Sequence, residues 1–240
     1  MTIKSIEKPS PFATSRLNYT IRDFFKMSNQ YAKDKQQARP PTFRESFRFP
    51  ISDLAARRDL LFGGTALILL SIGWILNLGH RLDVVYRIYH DQPPYYRGFA
   101  PYGRTFVRGL RAATAIVIYL APSILLGSLA YSNSLAELWV ASGTLFILAV
   151  YSLPGGMTYN AAYNDISYLY RPDRAFMRAL DGGKQYLWAW FIGLSAIALS
   201  FLGLLALGVG FLYTSVWAWM VVGHAFSRAL SLQRHPYRAH

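Results

Sequence analysis

Four long apolar segments constrain the fold more than any other feature of this sequence. A transmembrane helix needs ~20 predominantly apolar residues, and charged residues make up only 15% of this chain, against ~25% in an ordinary soluble domain. A soluble enzyme is therefore not expected. The segments are 60–79, 112–130, 138–153 and 187–223.

The placement of the 25 Lys and Arg residues indicates how these segments meet the membrane. Cations near the ends of spans collect on the cytoplasmic side. If the first segment crosses once, the cations divide almost equally between the two sides. If it turns back at residues 71–74, all of them lie on one side and Glu137 is the only charge on the other. We therefore predict three hairpins, with both termini cytoplasmic.

The first and last hairpins differ in expected depth. The return limb of the first, residues 74–82, would span only ~13 Å at 1.5 Å per residue, so we expect a shallow or re-entrant hairpin. The last segment is long enough for two helices, 186–202 and 211–230, with a turn at the glycines between them.

The predicted fold is thus an all-α integral membrane protein with five to six membrane helices and interfacial amphipathic helices. We assign residues 46–232 to the membrane domain, residues 1–45 to a basic, largely flexible cytoplasmic tail with one candidate amphipathic helix at 17–31, and residues 233–240 to a short cytoplasmic tail. The expected membrane is the plasma membrane or an internal energy-transducing membrane.

Segments 81–91, 101–111 and 157–170 have the interfacial character of helices at the membrane surface. The first two combine aromatic and basic residues, and the third places four residues on one helical stripe: Tyr159, Tyr163, Ile166 and Tyr170. Within 101–111, Arg104, Arg108 and Arg111 are candidate contacts for anionic lipid headgroups. We predict no nucleic-acid partner, because these arginines lie directly before the apolar segment 112–130 and are therefore expected beside the bilayer.

The spacing of several glycines and apolar residues resembles that of a known family. The positions that carry the likeness are Phe49-Pro50, Asp53, Gly63-Gly64, Ile72-Gly73-Trp74, Gly79, Gly208, Gly210 and Gly223-His224. Over residues 43–232 the chain is similar to the domain of unknown function 4013. The resemblance implies a small polytopic membrane protein and brings no catalytic residues with it.

A polar group near a span is the first candidate site. Asn160 and Asn164 are four residues apart, on one face of a helix expected after a break at residues 154–156, and Asp165 follows. Polar groups near membrane depth often mark a substrate or ion path. The alternative, which the composition favours, is an interfacial helix with a wet polar face.

Two histidines are weaker candidates for ligands. His80 and His224 each follow a glycine at similar places in the first and last hairpins, so they could face each other and bind haem or a pigment. Interfacial histidines without a ligand are the more expected alternative. No metal-ligand spacing or catalytic motif occurs, and we predict no cofactor, metal or catalytic residue.

The functional expectation follows from these observations. We expect a non-enzymatic membrane protein that acts as a scaffold, an assembly factor or an accessory subunit, with the lipid bilayer and a protein of a larger membrane complex as partners. The alternative is a transporter or permease for a small or lipidic solute, which the glycine-rich helices and the shallow hairpin would suit.

Overall fold

The computed structural model describes residues 40–90, 92–95, 98–206 and 208–231, and within these ranges it contains helices and no strand. The predicted all-helical fold is confirmed for this part of the chain, whereas the candidate helix 17–31 and the tail 233–240 lie outside it. The α-helices are α1 (Phe43–Arg48), α2 (Leu54–Ala66), α3 (Ser71–Tyr89), α4 (Tyr102–Asn133), α5 (Ala136–Tyr163), α6 (Ser167–Tyr170), α7 (Pro172–Asp181), α8 (Gly183–Ser200) and α9 (Val209–Ser231).

Four stretches of helix are long and apolar enough to cross a membrane. They are α4, α5, α8 with the 3-10 turn Phe201–Leu205 that follows it, and α9. Two of them come from the second and third apolar segments and two from the fourth. Within the described ranges, α2 and α3 of the first segment do not meet the same criteria.

The first apolar segment reverses direction between α2 and α3. The 3-10 turn Leu67–Leu69 is followed by Leu70, whose backbone has a positive φ of 47°. The Asn77 amide then donates to the carbonyl of Gly63 at 3.0 Å, and a Cβ on Gly73 would lie 1.8 Å from the carbonyl oxygen of Ala66. Because the two backbones approach so closely, position 73 has to be glycine.

The turn and the return helix differ from their predicted positions. The turn occupies Leu67–Leu69 rather than 71–74, and α3 continues to Tyr89 rather than ending at residue 82. The predicted end was wrong because the charged residues beyond it have partners inside the protein; Asp83, for example, pairs with Arg108 of α4. Segment 81–91 is therefore largely the second half of α3.

Helix α3 packs between two larger helix pairs. On one side it contacts α4 and α5, and on the other it contacts α9. Its approach to α4 depends on Gly79 and Gly109, since a Cβ on either one would lie 1.9 Å from a carbonyl oxygen of the facing helix. The second pair, α8 and α9, forms the largest buried cluster, which includes Tyr186, Ile192 and Phe226.

Helix α5 runs without a break through Pro154, so the predicted break at residues 154–156 is wrong. The hydroxyl of Tyr186 accepts from the amide of Gly155 at 3.1 Å and donates to the carbonyl of Tyr151 at 2.5 Å. It therefore stands between the two groups that an uninterrupted α-helix would join directly. This bridge keeps the backbone polar groups next to the proline satisfied.

The residues just before the predicted membrane domain also belong to the packed structure. The Trp188 indole donates to the carbonyl of Pro41 at 2.8 Å. The ring of Phe43 lies against those of Trp188 and Phe191, with centroids 5.5 and 5.4 Å away. The end of the basic segment that we assigned to the tail is thus held against α8.

Candidate functional site

A pocket of about 390 Å³ lies at the centre of the helices and is the main candidate site. It exists because α5 packs mainly on α4 and α7 while α8 packs mainly on α9, so the two pairs stand apart and α3 lies between them. One wall residue from each helix illustrates its apolar character: Leu78, Leu120, Leu153, Leu194 and Val222. Its volume falls in the range of small-molecule sites.

The depth of the pocket can be compared with the thickness of a membrane leaflet. Along α3 its lining extends from Trp74 to Val85, a distance of about 16 Å at the helical rise of 1.5 Å per residue. The hydrocarbon core of a bilayer is about 30 Å thick. The pocket is therefore about as deep as one leaflet.

Among the described residues that line the pocket, Arg81 is the one that carries a charge. Its guanidinium lies 5.0 Å from the centroid of the Trp219 ring and donates to the thioether sulfur of Met157 at 3.1 Å. Within the described ranges no carboxylate lies at ion-pair distance from it. A thioether is a weak acceptor, and a guanidinium has five N–H donors, so most of its hydrogen-bonding capacity is unused by the groups described.

A second polar group lies on another face of α3. The Nε2 atom of His80 is 3.3 Å from Oδ2 of Asp59, and both side chains are buried. The two atoms are not aligned for a hydrogen bond. The imidazole stacks on Phe99 with centroids 4.0 Å apart, while Oδ1 of Asp59 accepts from Arg58. His80, a sequence candidate, thus faces a carboxylate that the sequence analysis missed.

The two histidines do not share an environment. Nδ1 of His224 lies 3.1 Å from the hydroxyl of Ser46, and its ring centroid is 4.4 Å from that of Phe49. The structure thus gives His224 a partner on α1 and His80 a partner on α2. The described residues contain no group of three or more His, Asp or Glu side chains that could hold a metal ion.

The predicted arginine contacts fall into two kinds. Arg104 and Arg111 are exposed at the start of α4, where they remain candidates for lipid headgroups. Arg108 instead forms an ion pair with Asp83 of α3. The Thr105 hydroxyl, which donates to the carbonyl of Phe99 at 3.0 Å, lies beside this pair. Arg108 therefore joins α4 to α3.

The polar group at the end of α5 forms an exposed turn. Helix α5 ends at Tyr163, and Asn164 adopts a positive φ of 54°, so the single helical stripe expected over 157–170 is interrupted there. The Asn160 amide donates to the carbonyl of Asp165 at 2.9 Å. The amide of Ser167 donates to the Asp165 carboxylate, which holds the pKa of that side chain below its usual value. These bonds stabilise the turn.

Sequence reasoning missed Arg81 as a site residue although a signal was present. A cation within an otherwise apolar stretch of a membrane protein is a functional candidate by default, and the sequence analysis did not single out Arg81. The roles of Met157 and Trp219 could not be found in the same way, because apolar and aromatic residues are common throughout the spans.

Comparisons with protein-family models, with curated proteins and with solved structures gave no significant match. The resemblance to the domain of unknown function 4013 therefore stays a prediction, and the functional proposals below depend on the geometry of the chain itself.

Proposed function

We propose that this chain is a non-enzymatic, multi-pass membrane protein that binds a lipidic solute in its central pocket, as a carrier or permease does. The pocket is the observation that supports this proposal, because it is apolar along a leaflet's depth and is formed where two pairs of candidate spans stand apart. Such a site suits an acyl chain better than a polar metabolite.

The proposed topology has three hairpins and cytoplasmic termini. The hairpin α2–α3 enters from the cytoplasmic side without crossing, and α4–α5 and α8–α9 cross twice each. The charge distribution supports this arrangement, since the three hairpins place all 25 Lys and Arg residues on the same side of the bilayer midplane. We expect a protein with this topology in the plasma membrane or in an internal energy-transducing membrane.

Photolabelling tests the proposed function. We expect a diazirine-bearing fatty alcohol to label peptides of α3, α5 and α9 that line the pocket of the purified protein in nanodiscs. The substitution Val150→Phe, which narrows the pocket, should reduce this labelling severalfold. Val140 lies on the same helix and is 71% exposed, so Val140→Phe should leave the labelling unchanged. Labelling confined to lipid-facing residues, and insensitive to Val150→Phe, would contradict the proposal.

A scaffold or accessory-subunit role is the second candidate, and the outer part of the α4–α5 hairpin supports it. Between residues 124 and 148 only Ala130 and Ser142 are buried. The two helices are joined there by reciprocal bonds, in which each hydroxyl of Ser123 and Ser142 donates to the carbonyl of the other residue at 2.8 Å. The rest of this surface is open to lipid or to a partner's helices.

Native mass spectrometry after extraction in a mild detergent tests this second role. A partner that co-purifies at fixed stoichiometry, and is lost when Val140 and Ile147 on the exposed face are changed to Trp, would support it. A homogeneous monomer would count against it and would leave the first proposal intact.

A further inference from the structure

Arg81 borders the pocket without a carboxylate partner among the described residues. The carboxylates closest to it along α3 and on α2 are already engaged, because Asp83 pairs with Arg108 and Asp59 lies against Arg58 and His80. A cation beside an apolar cavity is costly unless an anion accompanies it. The described residues supply no such anion to Arg81, so a ligand is the natural source of one.

The Arg81 side chain is held in place before any ligand arrives. Its aliphatic stem passes over Gly223, where a Cβ would lie 3.1 Å from Cγ of Arg81. Its guanidinium lies over Trp219 and contacts Met157. A planar guanidinium positioned in this way can bind a carboxylate or phosphate through two parallel N–H donors. The cost of ordering the side chain is thus largely met in the free protein.

We propose that the pocket takes an amphiphile with one acyl chain and an anionic head, carboxylate or phosphate, which binds the guanidinium of Arg81. This inference rests on the proposed function and adds the chemical class of the solute. The charge of Arg81 selects the head, and the volume of about 390 Å³, at the low end of small-molecule sites, suits one chain rather than two. The chain lies along α3 towards Trp74.

Two photoreactive probes that differ only in the head test this inference. A diazirine fatty acid and the fatty alcohol of equal length are titrated onto the wild-type protein in nanodiscs, and labelling of the pocket peptides is measured. We expect the acid to bind about tenfold more tightly or better. A hydrogen bond between charged groups is stronger than a neutral one by roughly the free energy that corresponds to a tenfold difference in affinity. Competition by a lysophosphatidic acid shows whether a phosphate head is also accepted.

Substitutions at two arginines complete the test. Arg81→Met keeps a long apolar side chain and should abolish the preference for the acid while the alcohol still binds. Arg44→Met removes an exposed arginine of α1 outside the pocket and should leave the preference unchanged, and Arg81→Lys should retain part of it.

The remaining outcomes distinguish a failure of this inference from a failure of the proposed function. Equal labelling of the pocket by acid and alcohol in the wild-type protein, which needs no variant, would overturn the inference and keep the proposed function. A preference that survives Arg81→Met would do the same. If neither probe labels the pocket, both proposals fall together.

Discussion

At Tyr186 a single hydroxyl takes the place of a main-chain hydrogen bond. It accepts from the amide of Gly155 and donates to the carbonyl of Tyr151, so α5 passes its proline with these groups satisfied. Pro154 indicates a helix break when only the local sequence is considered. The residue that prevents the break lies on α8, more than thirty positions along the chain.

Removal of this hydroxyl should destabilise the protein. We expect Tyr186→Phe to lower the free energy of unfolding by about 1–3 kcal/mol, the usual cost of leaving a buried polar group unpaired. Thermal or denaturant unfolding in detergent measures the change. The same substitution at Tyr131, whose side chain is 81% exposed, is the matched control and should have little effect. Equal stability of the two variants would show that the backbone closes the gap unaided.

The buried Asp59 and His80 should behave as a coupled pair. Asp59→Ala leaves the buried imidazole without the carboxylate that it faces and should cost about 1–3 kcal/mol, the usual penalty for a buried polar group left without a partner. Replacement of both residues, Asp59→Leu with His80→Phe, should cost less than the single change, because no uncompensated polar group remains. Strictly additive unfolding free energies in this double-mutant cycle would exclude the coupling.

At the scale of helices, the turn between α2 and α3 shows how an apolar segment can reverse its direction. The turn needs no charged or proline residue. It depends on Leu70 with its positive φ and on the close contact of Gly73 with Ala66. The apolar pattern alone is equally typical of one straight span, and the charges on either side favoured the reversal.

A side chain at position 73 should therefore disturb the hairpin. We expect Gly73→Val to cost at least ~1–3 kcal/mol through overpacking and to reduce the yield of folded protein. Gly143→Val on α5 is the control, since a Cβ there meets nothing within 4 Å. Unfolding curves and size-exclusion profiles provide the comparison, and a Gly73 variant as stable as the Gly143 variant would contradict the close packing described here.

At the scale of the whole molecule, the topology can be read by labelling, because the chain contains no cysteine. We expect Gln92→Cys, between α3 and α4, to react with an impermeant maleimide only after cells are permeabilised. Ser132→Cys, at the opposite end of α4, should react in intact cells. Both positions are exposed. Modification of Gln92→Cys from outside intact cells would refute the proposed arrangement of three hairpins.

The sequence by itself determined that the chain is helical, where its four candidate spans lie and that its first apolar segment turns back. These features follow from the length of apolar runs and from the order of charges along the chain, which act locally. Only the tertiary structure decided that Arg81 borders the pocket without a carboxylate among the described residues, that Asp59 meets His80, and that Tyr186 bridges α5. Each of these depends on the distance between residues on different helices, and no periodicity in the sequence encodes that distance.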